Sequence, residues 1–289
     1  MLNRSRAIAA NERGNRLAGA GDDRAAEAAY REAIALDPDY QSGWFNLGLV
    51  FKRRHDWEEC RGANLRAAEL DPRKEQPAWW NLGIAATALR DWPTARRAWK
   101  GYGVDIPDGE GPVEMKLGMT PVRIGLPAAA EVVWCRRIDP ARAIIGSIPL
   151  PESGHRYHDV VLHDGAPNGR REVNGHLYPV FDELERWQPA EDQNVAARLR
   201  CPREVDALTL GKDADDAGVP FEDWTASLNM LCKACSEGLP HEEHDRNGDG
   251  AWKIERHVGF VASERRVAEL LELWRRDDAG REIEHLESY

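Results

Sequence analysis

A 34-residue period in the first third of the chain constrains its fold more than any other feature of the sequence. The tetrapeptides Ala-Leu-Asp-Pro at 35–38 and Glu-Leu-Asp-Pro at 69–72 set this period. On it the chain divides into segments 7–40, 41–74 and, after one inserted residue, 76–109. Fixed periods of this length are typical of helical hairpins that stack side by side and share one core. The period therefore predicts a helical solenoid of three hairpins.

Each segment repeats the same residue types at corresponding positions. Small residues would let the two helices of a hairpin approach closely, and tryptophan would fill the gap between successive hairpins. Proline would end the second helix, because it cannot continue the backbone hydrogen-bond ladder. The small residues include Gly14, Gly48, Gly83, Ala26 and Ala95; the tryptophans are Trp44 and Trp79; and the prolines are Pro38, Pro72 and Pro107.

This pattern closely resembles the tetratricopeptide-repeat (TPR) family over residues 7–109. Arg13, Cys60 and Asn64 depart from the family pattern at single positions. The resemblance implies a concave groove, lined by the first helix of each hairpin, that binds a protein or peptide partner. Carried over by position, the predicted partner-binding residues are Asn11, Asn15, Phe45, Asn46, Leu49, Trp80, Asn81 and Ile84.

Some family members clamp a partner's C-terminal carboxylate with Lys, Arg and Asn side chains in this groove. Asn15 and Asn46 match that clamp, but Asn11, Pro77 and Asn81 stand at its basic positions. A carboxylate would find no cation there, so we expect a peptide held by amide and apolar contacts instead. The alternative is that Phe45 and Trp80 pack against the C-terminal half of the chain itself.

The pattern changes at Asp108–Pro112, whose Gly and Pro content predicts a linker over 109–120 after a repeat domain at 1–108. Strand-like runs follow at 122–126, 131–138, 143–150 and 159–163. Asn168-Gly169 predicts a type I′ hairpin turn before a further strand at 170–174. The predicted fold class is therefore α + (α+β), with three TPR hairpins followed by an α+β domain at 121–289 whose sheet is mostly antiparallel.

The last hundred residues predict the order strand (195–199), helix (203–214), strand (227–233), strand (252–262) and helix (263–276). Val267, Leu270, Leu271 and Trp274 share one face of the last helix, and Ser263 suits its N-cap. This order suggests a ferredoxin-like βαββα unit over 193–276, after a β-rich part at 121–192. We expect the charged residues 277–289 to fray.

The segment Cys-Lys-Ala-Cys followed by His-Glu-Glu-His predicts a structural zinc site. Thiolates spaced C-x₂-C and two nearby imidazoles could supply four tetrahedral ligands, which would leave no open position for catalysis. The alternatives are a surface loop and a redox-active cysteine pair. The predicted ligands are Cys232, Cys235, His241 and His244. The following Asp245–Gly250 resembles half a calcium loop, but we interpret it as a polar turn.

A second polar cluster comprises His155, His158, Asp159, His163 and Asp164. Such groups could serve acid–base chemistry or bind a metal. Strand alternation places Asp159 and His163 on one face and His158 on the other, so we expect exposed strand-end residues, not one site. We interpret Cys135 as a core residue and Cys60 as structural.

Charge and hydropathy narrow the function classes. The chain of 289 residues has a net charge of −11, with +1 on residues 1–108 and −12 on residues 109–289. A surface this negative repels phosphate backbones, so we expect no nucleic-acid partner. No apolar run or signal segment is present, which predicts no membrane insertion and a cytoplasmic protein. The preference for Arg over Lys favours a bacterial source.

Taken together, these features predict a non-catalytic adaptor or scaffold that binds a protein through its repeats. The alternative is an enzyme or modification factor whose C-terminal domain carries the chemistry and whose repeats recruit a protein substrate. Repeat folds host many functions, so the sequence leaves the partner, the pathway and the oligomeric state open.

Overall fold

The chain folds into two units, and the backbone passes from one to the other more than once. In the computed structural model, residues 2–125, 130–173, 175–230 and 252–289 are described. The first unit comprises Met1–Lys116 and Ile138–Ala141, and the second comprises Leu117–Arg137 and Arg142–Tyr289. The short return of Ile138–Ala141 means that the chain crosses between the units at three points.

The first unit is built of three antiparallel helical hairpins, which confirms the predicted solenoid. Their helices are α1 (Leu2–Gly19), α2 (Asp23–Leu36), α3 (Gln41–Arg53), α4 (Trp57–Leu70), α5 (Pro77–Ala88) and α6 (Trp92–Tyr102). Asp22 and Asp91 cap α2 and α6 by accepting hydrogen bonds from backbone N–H groups of the first turn.

Glycine makes the close contact between the two helices of every hairpin. A Cβ added at any of these glycines would lie only 2.4 or 2.5 Å from the nearest side-chain atom of the second helix. A larger side chain at the facing position of the second helix fills the space that glycine leaves. The facing pairs are Gly14–Tyr30, Gly48–Asn64 and Gly83–Trp99. Asn64, which departs from the family pattern, therefore occupies the place of an aromatic side chain and is fully buried.

Helix α5 is buried around most of its circumference, including Ile84, Ala85 and Thr87. A helix that is apolar all round requires cover on every side. In the same unit, Ile106 and Val113 of the segment after α6 are also buried. The core of the first unit therefore continues beyond its last repeat helix.

One guanidinium group binds three backbone carbonyls of the Gly/Pro segment after α6. Arg96 of α6 donates from Nε to the carbonyl of Gly111 at 2.7 Å and from Nη1 to that of Pro107 at 2.6 Å. Its Nη2 donates to the carbonyl of Pro112 at 3.1 Å. Residues 107–112 thus wrap around one side chain of the repeats.

The second unit begins with a closed five-stranded barrel. Its strands are β1 (Met119–Ile124), β2 (Glu131–Arg137), β3 (Arg142–Ile145), β4 (Val160–Val173) and β5 (His176–Gln188). Neighbours pair antiparallel, and β1 closes the barrel by pairing parallel with β5. The core consists of small and branched side chains, namely Val122, Ile124, Val133, Cys135, Ala143, Ile145 and Val161.

The predicted hairpin turn at Asn168-Gly169 is wrong. Strand β4 runs through these residues, and the pairing of Val173 with His176 shows that the chain reverses only after Val173. Register shifts on both sides of Pro167 absorb Asn168 and Gly169 as an irregularity within the ladder. The Asn168 amide donates to the Asp182 carboxylate at 2.7 Å, which ties this irregularity to β5.

A four-stranded antiparallel sheet completes the second unit. Its elements are β6 (Asn194–Arg200), α7 (Glu204–Asp216), β7 (Phe221–Asp223), α8 (Trp224–Met230), β8 (Glu255–Val261), α9 (Glu264–Arg276) and β9 (Glu282–Ser288). The strand order β7-β8-β6-β9 is that of a ferredoxin-like split unit. Leu210 of α7, Phe260 of β8 and Trp274 of α9 belong to its core.

Two local predictions in this sheet are wrong. Residues 227–230 belong to helix α8 and not to a strand, while 231–233 lie outside the described residues. Residues 282–288 do not fray, because β9 pairs with the free edge of β6. Ile283 and Leu286 of β9 also pack on the core between charged neighbours, a contact that the charge of the segment concealed.

Candidate functional site: the inner face of the repeats

The first helices of the three hairpins lie next to one another and form the inner face of the first unit. The Asn46 amide of α3 donates to the side-chain oxygens of Asn11 at 2.9 Å and Asn15 at 3.1 Å, both on α1. The Lys52 ammonium group of α3 donates to the Asn81 side-chain oxygen of α5 at 3.1 Å. Polar side chains therefore connect α1 to α3 and α3 to α5 along this face.

Burial divides the predicted partner-binding residues into two groups. Asn11, Asn81 and Ile84 are buried, so their side chains serve the fold. Asn15 is exposed, and Phe45, Asn46, Leu49 and Trp80 are half-buried. The accessible part of the inner face therefore belongs mainly to the first two hairpins.

The two aromatic residues of this face pack on neighbouring repeat helices. Trp80 meets Trp99 and Tyr102 of α6 edge-on, at ring-centroid distances of 5.2 and 4.8 Å. Phe45 packs against the buried cluster that contains Trp79. Each ring thus packs on the solenoid with one side. Asn15 of α1 and Phe45, Asn46 and Leu49 of α3 form a contiguous set, which we call the groove patch.

The predicted zinc ligands Cys232, Cys235, His241 and His244 lie outside the described residues. The polar turn predicted at 245–250 also lies outside them. Across the described ranges, no three His, Cys, Asp or Glu side chains converge as metal ligands would. Over the same ranges, no helix combines the length and apolar character needed to cross a bilayer.

The second polar cluster is divided among separate environments and is more buried than predicted. His155, Asp159 and His163 are buried, whereas His158 is exposed. Nδ1 of His158 lies 3.1 Å from Oδ2 of Asp192. The expectation of exposed strand-end residues is therefore wrong for three of the five, because the adjoining β5 and the loop before β4 cover them.

His155 forms a buried pair with a glutamate of β5. Its Nε2 lies 2.6 Å from Oε1 of Glu183, and its Nδ1 lies 2.9 Å from the carbonyl oxygen of Ser153. Burial opposes the charged imidazolium, but the hydrogen bond and charge of Glu183 prevail and raise the pKa of His155. Both ring nitrogens are engaged, so this imidazole is held in place by the fold.

Asp159 is fully buried at the start of β4 and is held by backbone donors. Its carboxylate accepts hydrogen bonds from the N–H of Ala190 at 2.6 Å and of Arg156 at 3.0 Å. Arg186 lies 3.5 Å away and supplies a compensating charge. This carboxylate therefore fixes the loop before β4 and the end of β5.

The partners Glu183, Arg186 and Ala190 were not predicted as members of this cluster. They lie 27 to 31 positions after the residues that they contact, on or just after β5, for which the sequence predicted no separate strand. The bulge in β4 that brings Glu183 opposite His163 leaves no mark in the spacing of the sequence.

Comparison with known proteins agrees with the fold of the first unit. Residues 14–54 match the family model of the TPR repeat. No curated protein sequence matches the chain. Among solved structures, the second TPR domain of Spaghetti (RPAP3), bound to an HSP90 peptide, is 24% identical, with a TM-score of 0.33, over 35% of this chain and 93% of that one.

A second similar structure is the yeast Sti1 TPR2AB domain in complex with HSP90. It is 21% identical, with a TM-score of 0.32, over 34% of this chain and 38% of that chain. The family match, the 34-residue period and the three helical hairpins agree. The N-terminal region of this chain is built of tetratricopeptide repeats.

Proposed function

We propose that the chain is an adaptor that binds a protein or peptide partner through the groove patch. The observation that carries this proposal is the accessibility of Asn15, Phe45, Asn46 and Leu49 on a face whose other predicted contact residues are largely covered. A rigid helical layer that presents such side chains needs little reordering to bind, which favours affinity.

The chemistry of the patch suits a peptide. An amide side chain both donates and accepts, so Asn15 and Asn46 can pair with the N–H and C=O groups of a peptide backbone. The half-buried rings and branched side chains of Phe45 and Leu49 offer apolar contact for an anchor residue. A peptide with one apolar anchor beside a hydrogen-bonded backbone fits this arrangement.

Affinity purification from a cell lysate tests the proposal with the full chain. The variant Asn15→Arg/Leu49→Glu places two charges in the groove patch, and we expect it to lose the partners that the wild-type chain recovers. The matched control is Glu59→Arg, which changes an exposed residue of the outer helix α4. Circular dichroism should show equal helicity for all three proteins.

A photo-crosslinking amino acid identifies the binding surface independently. Placed at Asn15, it should capture the recovered partner, and placed at Glu59 it should not. Equal recovery by the wild type and the charged variant, or capture from the outer helix alone, would contradict binding at the inner face.

A further inference from the structure

A cavity of about 190 Å³ lies in the second unit beside the extended segment 147–150 that follows β3. Its wall includes the indoles of Trp134 and Trp224 and the charged side chains of Glu131, Arg171 and Glu222. Concave sites that combine apolar walls with a few convergent polar groups are the usual form of small-ligand sites. The volume is below the range of pockets for drug-sized molecules, so a ligand here would be small.

Two carboxylates accept hydrogen bonds from backbone N–H groups of segment 147–150. Glu222 of β7 accepts a hydrogen bond from the N–H of Ile148 at 2.8 Å, and Glu131 of β2 accepts one from the N–H of Leu150 at 2.8 Å. Both carboxylates also line the cavity, so the two backbone contacts place them on its wall.

The rest of the wall is fixed by further hydrogen bonds. The Trp224 indole N–H donates to the carbonyl of Ile148 at 2.9 Å. Arg171, which is buried, donates to the carbonyl of Val132 at 3.1 Å and lies over the Trp134 ring at 5.3 Å. The aromatic and charged groups are thus positioned by the backbone before any ligand binds.

The charges of the wall do not balance. Among the described residues that line the cavity, Arg171 is the one cation against two carboxylates. His155, which is not part of the wall, also favours a charged Glu131, but its Nε2 is already bound to Glu183. Burial raises the pKa of Glu222 although the N–H of Ile148 and the charge of Arg171 oppose the shift, and the charge of Glu222 disfavours a second negative charge on Glu131. A carboxylate in such surroundings needs either a proton or a cation. Burial raises the pKa of Glu131 to about 7, so below neutral pH a proton neutralises this carboxylate.

We propose that this cavity binds a small organic monocation, an alkylammonium group on a short apolar chain. The ammonium group lies between Glu131 and Glu222, and the apolar chain contacts Trp134 and Trp224. One positive charge compensates the excess of one carboxylate over Arg171, and indole rings attract cations as well as alkyl chains. The same chemistry is offered by a free amine and by a lysine side chain of another protein.

Calorimetric titration of the full chain with two probes distinguishes these sources. The probes are n-butylammonium, for a free amine, and Nα-acetyl-lysine methylamide, for a protein side chain. We expect at least one of them to bind, with an affinity that rises roughly tenfold or more from pH 5.5 to pH 8. Alkylammonium groups remain charged over this range, so the rise reports the ionisation of the carboxylate.

Two variants locate the binding. Glu131→Gln keeps an acceptor for the N–H of Leu150 but removes the charge, and we expect it to abolish binding and its pH dependence. Glu284→Gln, on the exposed side of β9, should bind as the wild type does. Near-UV circular dichroism shows whether Glu131→Gln is folded; if it is not, the pH dependence of the wild type decides.

Binding of butylammonium alone identifies a free amine as the ligand, and binding of the lysine derivative identifies a protein side chain. Either result supports the proposal when it depends on pH. The proposal is overturned if neither probe binds the wild type at pH 8. It is equally overturned if binding is the same at pH 5.5 and pH 8, or survives in folded Glu131→Gln.

Discussion

Two buried histidines of the barrel have pKa values shifted in opposite directions. His155 gains a carboxylate partner in Glu183, and its pKa rises although burial opposes the shift. His163 is fully buried beside Arg137, with its Nδ1 2.8 Å from the carbonyl oxygen of Asp164, and burial lowers its pKa to about 4. Its Nε2 has no hydrogen-bond partner among the described residues, and its ring lies 5.3 Å from that of Phe181. The fold therefore requires one charged and one neutral imidazole.

His163 predicts a loss of stability on acidification. Its folded-state pKa lies below the usual value of about 6.5, so the neutral form stabilises the fold above that pH. This contribution is lost as the pH falls through the window from about 6.5 to about 4, by roughly 3 kcal/mol. Urea unfolding at several pH values should show a flatter profile for His163→Gln over this window.

The control for this measurement is His176→Gln, which changes an exposed histidine at the start of β5. It should keep the wild-type dependence on pH. A His163→Gln profile that is parallel to the wild type would show that another group causes the loss of stability in acid.

At the scale of elements, the repeats were predictable because each hairpin is a local structure with a fixed period. The strands of the second unit were mostly predictable from alternation, but their partners were not. The turn signal of Asn168-Gly169 recurs in the sequence at 174–175, and only the pairing of β4 with β5 shows that the strand continues through the first pair. Local propensity cannot distinguish a turn from a bulge when both suit asparagine and glycine.

The inner face and the cavity also differ in how far the sequence predicts their residues. Position within the repeat indicates which helix face looks inward, so Asn15, Asn46 and Leu49 could be selected from sequence. It does not show that Ile84 is covered. Glu222 and Ile148, whose N–H group donates to it, are 74 positions apart, so their spacing in the sequence does not predict the contact.

The zinc site remains a proposal from the sequence of one segment. We expect elemental analysis to find about one zinc per chain, and chelation to lower the melting temperature, because metal binding and folding of a structural site are coupled. Cys232→Ser and His244→Ala should each release the metal. Purified protein without zinc, together with a melting temperature that chelator leaves unchanged, would contradict the prediction.

A suitable control for these variants is an exposed histidine, because Cys60, Cys135 and Cys201 are all buried. Substitution of a buried cysteine would alter packing as well as thiol chemistry. His158→Ala, at an exposed position, should retain the metal.

For the whole molecule, the boundary between the units is less simple than the predicted linker. Residues 107–112 are bound to Arg96, the first unit extends to Lys116, and Ile138–Ala141 returns to it. The N–H of Met115 donates to the carbonyl of Ile138 at 2.6 Å, which joins the two parts of this unit. A single cut near residue 108 would therefore leave part of the first unit attached to the second.

Arg96→Ala should make residues 107–112 more susceptible to protease. Loss of three hydrogen bonds from a charged donor lowers the cost of local opening by about 1–2 kcal/mol, which corresponds to roughly a five- to thirtyfold faster cleavage. Limited proteolysis with mass spectrometry measures this rate at each bond. Arg97→Ala, at the exposed neighbouring residue, is the matched control. Equal rates in the two variants would show that the guanidinium of Arg96 does not restrain the segment.

The return of Ile138–Ala141 to the first unit has a consequence for synthesis of the protein on the ribosome. Domains generally fold in the order in which they emerge, the N-terminal one first. Here the repeats emerge early, but their unit lacks its last buried residues until Ala141 has left the exit tunnel. By then strands β1 and β2 of the next unit are already outside. Each nascent chain therefore carries an incomplete first unit while β1 and β2 emerge, and the second unit is completed only after β9 has followed.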